Sequence, residues 1–167
     1  MSKLTLYDLE YIVKKFEPRT SAEFADFGLK LKSLGSGAFR RTYQIVGYDV
    51  VVKIPYLDSN FKFNKLDINH SKTEWNAYEK LSKKKKYATL RPFLPKMYCC
   101  TKHGVILMKK YSKTRGERRV LKSKHKALLD TIYSTFGHSC DVYWQNIGLT
   151  GAGKLKIFDF GCFPDVL

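Results

Sequence analysis

The stretch DVYWQNIGLTGAGKLKIFDFG, residues 141–161, places two acids and an amide in a regular frame. Four residues separate Asp141 from Asn146, and Asp159 follows a predicted apolar strand that ends in IF, thirteen residues after Asn146. Phosphoryl transfer uses such groups together, because one carboxylate orients and deprotonates the attacking hydroxyl while an amide oxygen and a second carboxylate hold magnesium ions on the phosphates. The frame therefore predicts a phosphoryl-transfer site formed by these three side chains.

Two features nearer the start of the chain fit a phosphate-binding site. LGSGAF places Gly35, Ser36 and Gly37 between two predicted strands, where exposed backbone N–H groups can bind phosphate oxygens. A plain hairpin turn explains these residues equally well. Lys53 ends the apolar run VVVK, and an ammonium group that leaves a buried surface needs a phosphate or carboxylate partner. The alternative is a strand-end lysine that reaches solvent.

A carboxylate partner for Lys53 is expected on a helix predicted by HSKTEWNAYEKLSKKKK, residues 70–86. We favour Glu74, with Glu79 as a second candidate on the same helix. SKTE, beginning at Ser71, also fits a capping box in which Glu74 only caps its own helix. The residues expected to share the inner face of this helix are Glu74, Ala77, Tyr78 and Leu81.

Hydrophobic periodicity predicts two further helices, one before and one after the helix of residues 70–86. TLYDLEYIVKKF, residues 5–16, is typical of an amphipathic helix that packs on the body of the protein, with dimerisation as the alternative use. VLKSKHKALLDTIYSTFG, residues 120–137, predicts another helix that stops at Gly137. The expected inward residues are Leu6, Leu9, Ile12, Val13 and Phe16 in the first of these helices, and Leu121, Ala127, Leu128, Ile132 and Phe136 in the second.

Strand patterns occur on both sides of the helix predicted over residues 70–86. Residues 27–55 predict three strands joined by turns at Gly35–Gly37 and Gly47–Asp49, which gives an antiparallel meander. LPKMYCCTKHGVILMKKY, residues 94–111, predicts two more strands joined near His103 and Gly104. The sequence therefore predicts an α+β fold with a mostly antiparallel sheet.

The chain is strongly basic, with 31 Lys and Arg against 15 Asp and Glu and a formal net charge of +16. A net charge of magnitude about 2 to 8 is enough to keep a small domain in solution, so this excess favours an acidic protein partner. Two basic runs, Lys83–Lys86 and Lys109–Lys126, are candidate contact surfaces; the second has nine Lys or Arg and one Glu. Nucleic acid bound through these runs, or a solvated surface without a partner, are the alternatives. The oligomeric state stays open.

Cysteine usage and hydropathy bear on the compartment. Cys99, Cys100, Cys140 and Cys162 form no CxxC pair, which favours free thiols over a disulfide or a zinc site. No apolar run approaches the roughly 18 residues that span a bilayer, and MSKLTLYDLE lacks the apolar segment of a signal peptide. We expect a cytoplasmic protein without a membrane partner.

The order of LGSGAF, VVVK, the helix with Glu74, VILMKKY, DVYWQN and IFDFG resembles the protein-kinase-like superfamily. The D-x-x-x-x-N and D-F-G frame is the most specific part, and the resemblance spans residues 31–161. The chain is most similar to minimal kinases of tailed bacteriophages in its short length, its segment GLTGAGKLKIFDFG and its basic charge. It also resembles the RIO-like kinases, which are another small form. For a viral protein the expected compartment is the host cytoplasm.

The resemblance implies a cofactor, ATP with Mg²⁺, and a role for each matching residue. Gly35–Gly37 would cover the ATP phosphates, and Lys53 would contact the α and β phosphates while paired with Glu74. Asp141 would be the catalytic base. Met108 would stand at the back of the adenine pocket. The remaining implied roles are Mg²⁺ ligation by Asn146 and Asp159 and recognition of the adenine edge by the backbone of Lys109 to Tyr111.

The resemblance also implies a kinase-like organisation: an N-terminal amphipathic helix in residues 1–20, an N-lobe with an antiparallel sheet and an αC-type helix in 21–111, and an abbreviated C-lobe in 112–167. After DFG only CFPDVL follows, so we expect the activation segment and the helices that bind a peptide substrate to be absent. Substrate selection would then use other surfaces or a partner.

Three positions depart from the family pattern. The H-R-D sequence is SCD here, with His138 one place too early, and Tyr143 stands where a lysine or histidine is common. Arg40 replaces the third glycine of the phosphate loop. These departures bear on catalysis more than on nucleotide binding. Three hypotheses follow: a minimal Ser/Thr protein kinase acting on an acidic or nucleic-acid-associated host protein or on itself, a pseudokinase that binds and inhibits a host protein, and a basic nucleic-acid-binding protein.

Overall fold

The computed structural model describes residues 4–58, 60, 62, 64–113, 126–134 and 147–158. These residues form helices and two antiparallel sheets, so the predicted α+β class is confirmed. The helices are α1 (Leu6–Phe16), α2 (Ser21–Ala25), α3 (Lys65–Lys83), a stretch of 3₁₀ turns (Lys85–Phe93) and α4 (126–134). The strands are β1 (Leu31–Ser36), β2 (Arg40–Ile45), β3 (Val50–Pro55), β4 (Met97–Cys100), β5 (Ile106–Lys109), β6 (Ser112–Lys113), β7 (Ile147–Leu149) and β8 (Leu155–Ile157).

The chain divides into two compact units. The first comprises Met1–Lys72 and Lys96–Lys110, and the second comprises Thr73–Pro95 and Tyr111–Leu167. Helix α3 begins in the first unit and continues in the second. The predicted domain limits at residues 20 and 111 stay a prediction.

The first unit is built on a five-stranded sheet with the order β1-β2-β3-β5-β4. Every neighbouring pair is antiparallel, which confirms the predicted meander of β1 to β3 and the predicted hairpin of β4 and β5. Gly104 closes that hairpin with a φ of +79°, a left-handed conformation that glycine adopts without a steric penalty. Its N–H donates to the carbonyl oxygen of Thr101 at 3.0 Å.

Helix α1 covers one face of this sheet, as its amphipathic pattern predicts. Thr5 and Asp8 form a reciprocal capping box: the Asp8 N–H donates to Thr5 Oγ1 at 3.2 Å, and the Thr5 N–H donates to Asp8 Oδ2 at 2.7 Å. Leu6 and Phe16, expected on the inner face, are 38% and 52% exposed. The buried core of this unit comprises Leu9, Ile12, Val13, Phe24, Leu29, Ile45, Val50, Val52, Ile54, Cys99, Val105 and Leu107.

Strand β3 is buried along its whole length. Val50, Val52 and Ile54 belong to the core beneath α1. Because side chains alternate along a strand, Val51 and Lys53 point to the opposite face of the sheet. Both faces of β3 are therefore covered.

The second unit contains a three-stranded antiparallel sheet with the order β6-β7-β8. The apolar strand predicted before Asp159 is confirmed as β8, which pairs with β7. Lys156 in β8 donates from Nζ to the carbonyl oxygens of Pro92 at 2.7 Å and Leu94 at 2.9 Å, which ties the sheet to the end of the 3₁₀ turns.

Two helices differ from their sequence patterns. α3 begins at Lys65, five residues before the predicted start, because Asn64 caps it: the Leu66 N–H donates to Asn64 Oδ1 at 2.9 Å. In α4, Leu128 and Ile132 are buried as predicted. Ala127 is exposed, so its predicted inward position is wrong. The expectations for Leu121, Phe136 and Gly137 lie outside the described residues.

Candidate functional site

The predicted phosphate-binding turn joins β1 to β2 in the first unit. Gly35 and Ser36 are the last residues of β1, and Gly37 follows them; all three are exposed. The Gly37 N–H donates to the carbonyl oxygen of Arg40 at 2.9 Å, and the Tyr56 hydroxyl donates to the Gly37 carbonyl oxygen at 2.8 Å. A phosphate could use the Gly37 N–H only by replacing the carbonyl of Arg40.

Lys53 lies in β3, between Thr42 of β2 and Ile106 of β5. Only 6% of this residue is exposed, so it is not a strand-end lysine that reaches solvent. Among the described residues it is the only buried lysine or arginine. Burial of an ammonium group is costly unless a carboxylate, a phosphate or a set of hydrogen-bond acceptors compensates its charge.

Glu74 lies in the middle of α3 and is completely buried. Ser71 is the seventh residue of this helix, so the capping box that the sequence allowed for Ser71 and Glu74 does not form. The other candidate, Glu79, has a side chain that is 38% exposed and forms an ion pair with Lys83 one turn later. Burial therefore distinguishes the two carboxylates: Glu74 is enclosed by protein, whereas Glu79 belongs to a surface pair of small energetic value.

Two more polar residues, Asp67 and Ser71, lie on the buried side of α3 and were missed by sequence reasoning. Burial raises the pKa of the Asp67 carboxyl, and the nearby His70 and the Tyr56 backbone N–H partly offset that rise. The spacing could have identified both residues, since Asp67, Ser71 and Glu74 recur every three or four positions. The late predicted start of the helix concealed this pattern.

The residues expected to read adenine lie at the end of β5. Met108 is 2% exposed and pairs with Val51 of β3 and Met97 of β4. The Lys109 N–H donates to the carbonyl of Lys96 at 2.8 Å, and the Lys110 N–H donates to the carbonyl of Asp49 at 3.0 Å. These two N–H groups are thus engaged within the first unit.

Tyr111 belongs to the second unit, where its ring stacks on Phe158 with centroids 5.9 Å apart. The Phe158 ring occupies the space in which a side chain at Gly148 would lie. Gly148 in β7 is therefore required for this packing.

The predicted phosphoryl-transfer residues Asp141, Asn146 and Asp159 lie outside the described residues. Its neighbours form the β7–β8 hairpin, in which Ile147 is paired with Ile157. Asn146 precedes Ile147 by one residue, and Asp159 follows Ile157 by two. No group of three or more His, Cys, Asp or Glu side chains suited to a metal ion occurs in the part of the chain that the structure describes.

The two basic runs are described to different extents. Lys83 to Lys86 are all exposed, and Lys83 is paired with Glu79. Of the run Lys109–Lys126, only residues 109–113 and 126 are described. Within that portion the Lys110 ammonium donates to Gln44 Oε1 at 2.8 Å, and Lys109 lies 3.7 Å from a carboxylate oxygen of Asp49.

Comparison with known proteins adds no family assignment. No protein-family model matches the sequence, and no curated protein shows significant similarity to it.

Over the described residues, no helix combines the length and the apolar character needed to cross a bilayer.

Proposed function

We propose that this protein is an ATP- and Mg²⁺-dependent phosphotransferase, a minimal kinase that phosphorylates Ser or Thr on an acidic or nucleic-acid-associated protein or on itself. The observation that carries the proposal is the burial of Lys53 and Glu74, two opposite charges at positions that the kinase-like frame requires. In this proposal the two side chains pair, and the ammonium group of Lys53 then meets the nucleotide phosphates. A pair of opposite buried charges avoids the large cost of either charge alone.

The antiparallel sheet and the β7–β8 hairpin support the proposal. Met108 and Lys53 lie on neighbouring strands of the first unit, and the pairing of Ile147 with Ile157 brings together the chain positions that flank Asn146 and Asp159. In this proposal the two oxygen-bearing side chains hold Mg²⁺, since carboxylate and amide oxygens suit that ion. Bound MgATP supplies the phosphoryl group and the positive charge that offsets its oxygens.

Each protein group has a defined part in the reaction. The Asp141 carboxylate accepts the proton of the attacking hydroxyl while the hydroxyl oxygen bonds to the γ phosphorus and the bond to ADP breaks. The Lys53 ammonium orients the α and β phosphates. In this proposal the turn at Gly35–Gly37 covers the triphosphate, and the Gly37 N–H would bind a phosphate oxygen in place of the Arg40 carbonyl oxygen. Because SCD replaces H-R-D and Tyr143 replaces a basic residue, we expect slow turnover.

The test follows transfer of label from γ-labelled ATP, with Mg²⁺, into the protein itself and into a host lysate. Asp141→Asn and Asp159→Asn should abolish transfer, whereas Asp130→Asn, a matched change at an exposed acid of α4, should leave it intact. Nucleotide binding is followed in parallel by thermal shift. Undiminished transfer by Asp141→Asn would refute the assigned base, and absence of transfer by the wild type would refute the enzyme.

A binding module with a kinase-like fold is the second candidate, and the state of Gly37 favours it. Its N–H and its carbonyl oxygen both form hydrogen bonds within the protein, so both groups are engaged before any phosphate binds. Such a protein would act by binding a host protein and not by catalysing phosphoryl transfer. Its effect on the host target should then survive Asp141→Asn, and loss of the effect in that variant would exclude it.

A further inference from the structure

The turn that joins β1 to β2 is anchored from two other parts of the first unit. One anchor is Tyr56, directly after β3, whose hydroxyl donates to the Gly37 carbonyl oxygen at 2.8 Å. The Arg41 guanidinium lies over the ring of Tyr56, with its central carbon 5.4 Å from the ring centroid. The backbone N–H of Tyr56 points to the carbonyl oxygen of Phe39 at 3.4 Å. The end of β3 thus fixes both ends of the turn.

The other anchor is His70, in the second turn of α3. Its imidazole stacks face to face on the ring of Phe39, with centroids 3.5 Å apart and planes inclined by 14°. Phe39 is the last residue before β2, so this stack ties the turn to the helix. Neither ring belongs to the apolar core beneath α1, and both are partly exposed. Core formation therefore does not explain the contact.

We propose that His70 is a positioning residue for the phosphates of a bound nucleotide, acting through its stack on Phe39. The inference rests on the proposed phosphotransferase function. A short exposed turn that contains two glycines loses much conformational entropy when it closes on a ligand. Contacts that fix the turn beforehand reduce this loss, and so strengthen binding of the phosphate part of the ligand without touching its base.

The experiment measures dissociation constants by titration calorimetry for three probes: MgATP, inorganic tripolyphosphate and adenosine. His70→Ala and Phe39→Leu should each weaken binding of MgATP and tripolyphosphate about three- to tenfold, the change that one aromatic pair corresponds to. Adenosine affinity should stay the same. The double variant should bind MgATP and tripolyphosphate no more weakly than the single variant with the lower affinity. Both substitutions remove the same contact, the stack between the two rings.

Two further variants separate positioning from a general structural effect. His70→Tyr keeps a planar ring and should restore tripolyphosphate affinity to within about twofold of the wild type. Asn69→Ala, a change at the neighbouring exposed residue of α3, should leave all three affinities unchanged. Denaturant unfolding of each variant shows that it is folded at the temperature of the titration.

The outcomes distinguish this inference from the function on which it rests. A wild type that binds neither MgATP nor tripolyphosphate overturns both. A wild type that binds them, with the same tripolyphosphate affinity in His70→Ala, overturns only the role of His70. An equal loss for adenosine and for tripolyphosphate in that variant also overturns it, since the stack would then support the fold in general.

Discussion

Gly104 is the residue at which the backbone and the packing both demand glycine. Its φ of +79° is unfavourable for any residue with a side chain, and a Cβ there would lie 2.9 Å from Cβ of Ser71 and 3.2 Å from the carbonyl oxygen of Ile68. Neither neighbour is the flexible end of a long side chain. The turn of β4 and β5 can therefore approach α3 only because residue 104 has no side chain.

We predict that Gly104→Ala lowers the free energy of unfolding by about 2 kcal/mol or more, since it adds a clash to the backbone strain. Gly28→Ala is the matched control, because Gly28 has a φ of +71° with no atom within 4 Å of a new Cβ. That variant should lose only about 1 kcal/mol, the strain alone. Denaturant unfolding measures both, and equal losses would contradict the packing argument.

Asp67 gives a pH-dependent prediction. Burial raises the pKa of its carboxyl above the ordinary value of 3.8, so the folded protein holds this proton more tightly than the unfolded chain does. Asp67 therefore costs stability above its raised pKa, and the cost disappears as the pH falls to 3.8 and below. Asp67→Asn removes the titration and keeps the size and planar shape of the side chain.

The stability of Asp67→Asn relative to the wild type should consequently be greater at pH 7 than near pH 3.8. Unfolding curves in denaturant, recorded for both proteins at each pH, give the difference directly. Subtracting the free energy of unfolding of the wild type from that of the variant cancels the contributions of the other carboxylates, which both proteins share. A difference that is constant with pH, or that grows on acidification, would show that the pKa of Asp67 is not raised.

Among the elements, α1 has a defined attachment to the hairpin of β4 and β5. Glu17 caps the C-terminus of α1 with a left-handed backbone, at φ 46° and ψ 55°. Its carboxylate accepts a hydrogen bond from the Lys102 N–H at 3.0 Å and contacts Nδ1 of His103. The helix is thus attached by the polar contacts of Glu17 at its C-terminus as well as by the apolar residues of its inner face.

Glu17→Ala should lower the free energy of unfolding by about 1 to 3 kcal/mol, because it leaves the Lys102 N–H without its acceptor and removes the contact with His103. Glu17→Gln keeps an acceptor for the N–H and should lose less. Glu10→Ala, at the exposed pair with Lys14, should change stability by no more than about 0.5 kcal/mol. Equal losses of stability in Glu10→Ala and Glu17→Ala would show that the contacts of Glu17 do not stabilise the attachment of α1.

For the whole molecule, the net charge of +16 is the property with the widest consequence. Lys84, Lys85 and Lys86 are consecutive and exposed at the start of the 3₁₀ turns, and no ion pair involves them among the described residues. Three adjacent cations form a stronger local field than three scattered ones. We predict that these three lysines contribute to binding of an acidic partner or of nucleic acid.

Charge reversal of all three to Glu should weaken binding to single-stranded nucleic acid and reduce the slope of log K against log salt by about 2, or about 0.7 for each lost phosphate contact. Reversal of Lys30, Lys32 and Lys62, which are exposed elsewhere, gives the same net charge of +10, from +16 minus 6, and is the control. Equal effects of the two triple variants would indicate a response to total charge rather than a defined surface.

Much of the fold follows from local sequence. Alternation and turn residues predicted the five strands of the first sheet, and helical spacing predicted α1, because these patterns record which side of each element faces the core. The start of α3 was predicted late, since Asn64 was not recognised as its cap and SKTE resembled a start of its own. The inward position of Ala127 was wrong because alanine is small enough to be tolerated on either side of a helix.

The sequence alone determined the α+β class, the order of the strands along the chain and the apolar character of β3, since each depends on neighbours in the chain. Only the tertiary structure decided that Glu74 is enclosed while Glu79 meets Lys83, and that Gly37 is already satisfied by Arg40 and Tyr56. It also decided that Phe39 lies on His70. Periodicity assigns a side chain to a face, but its partner there is set by elements distant in sequence that pack against that face.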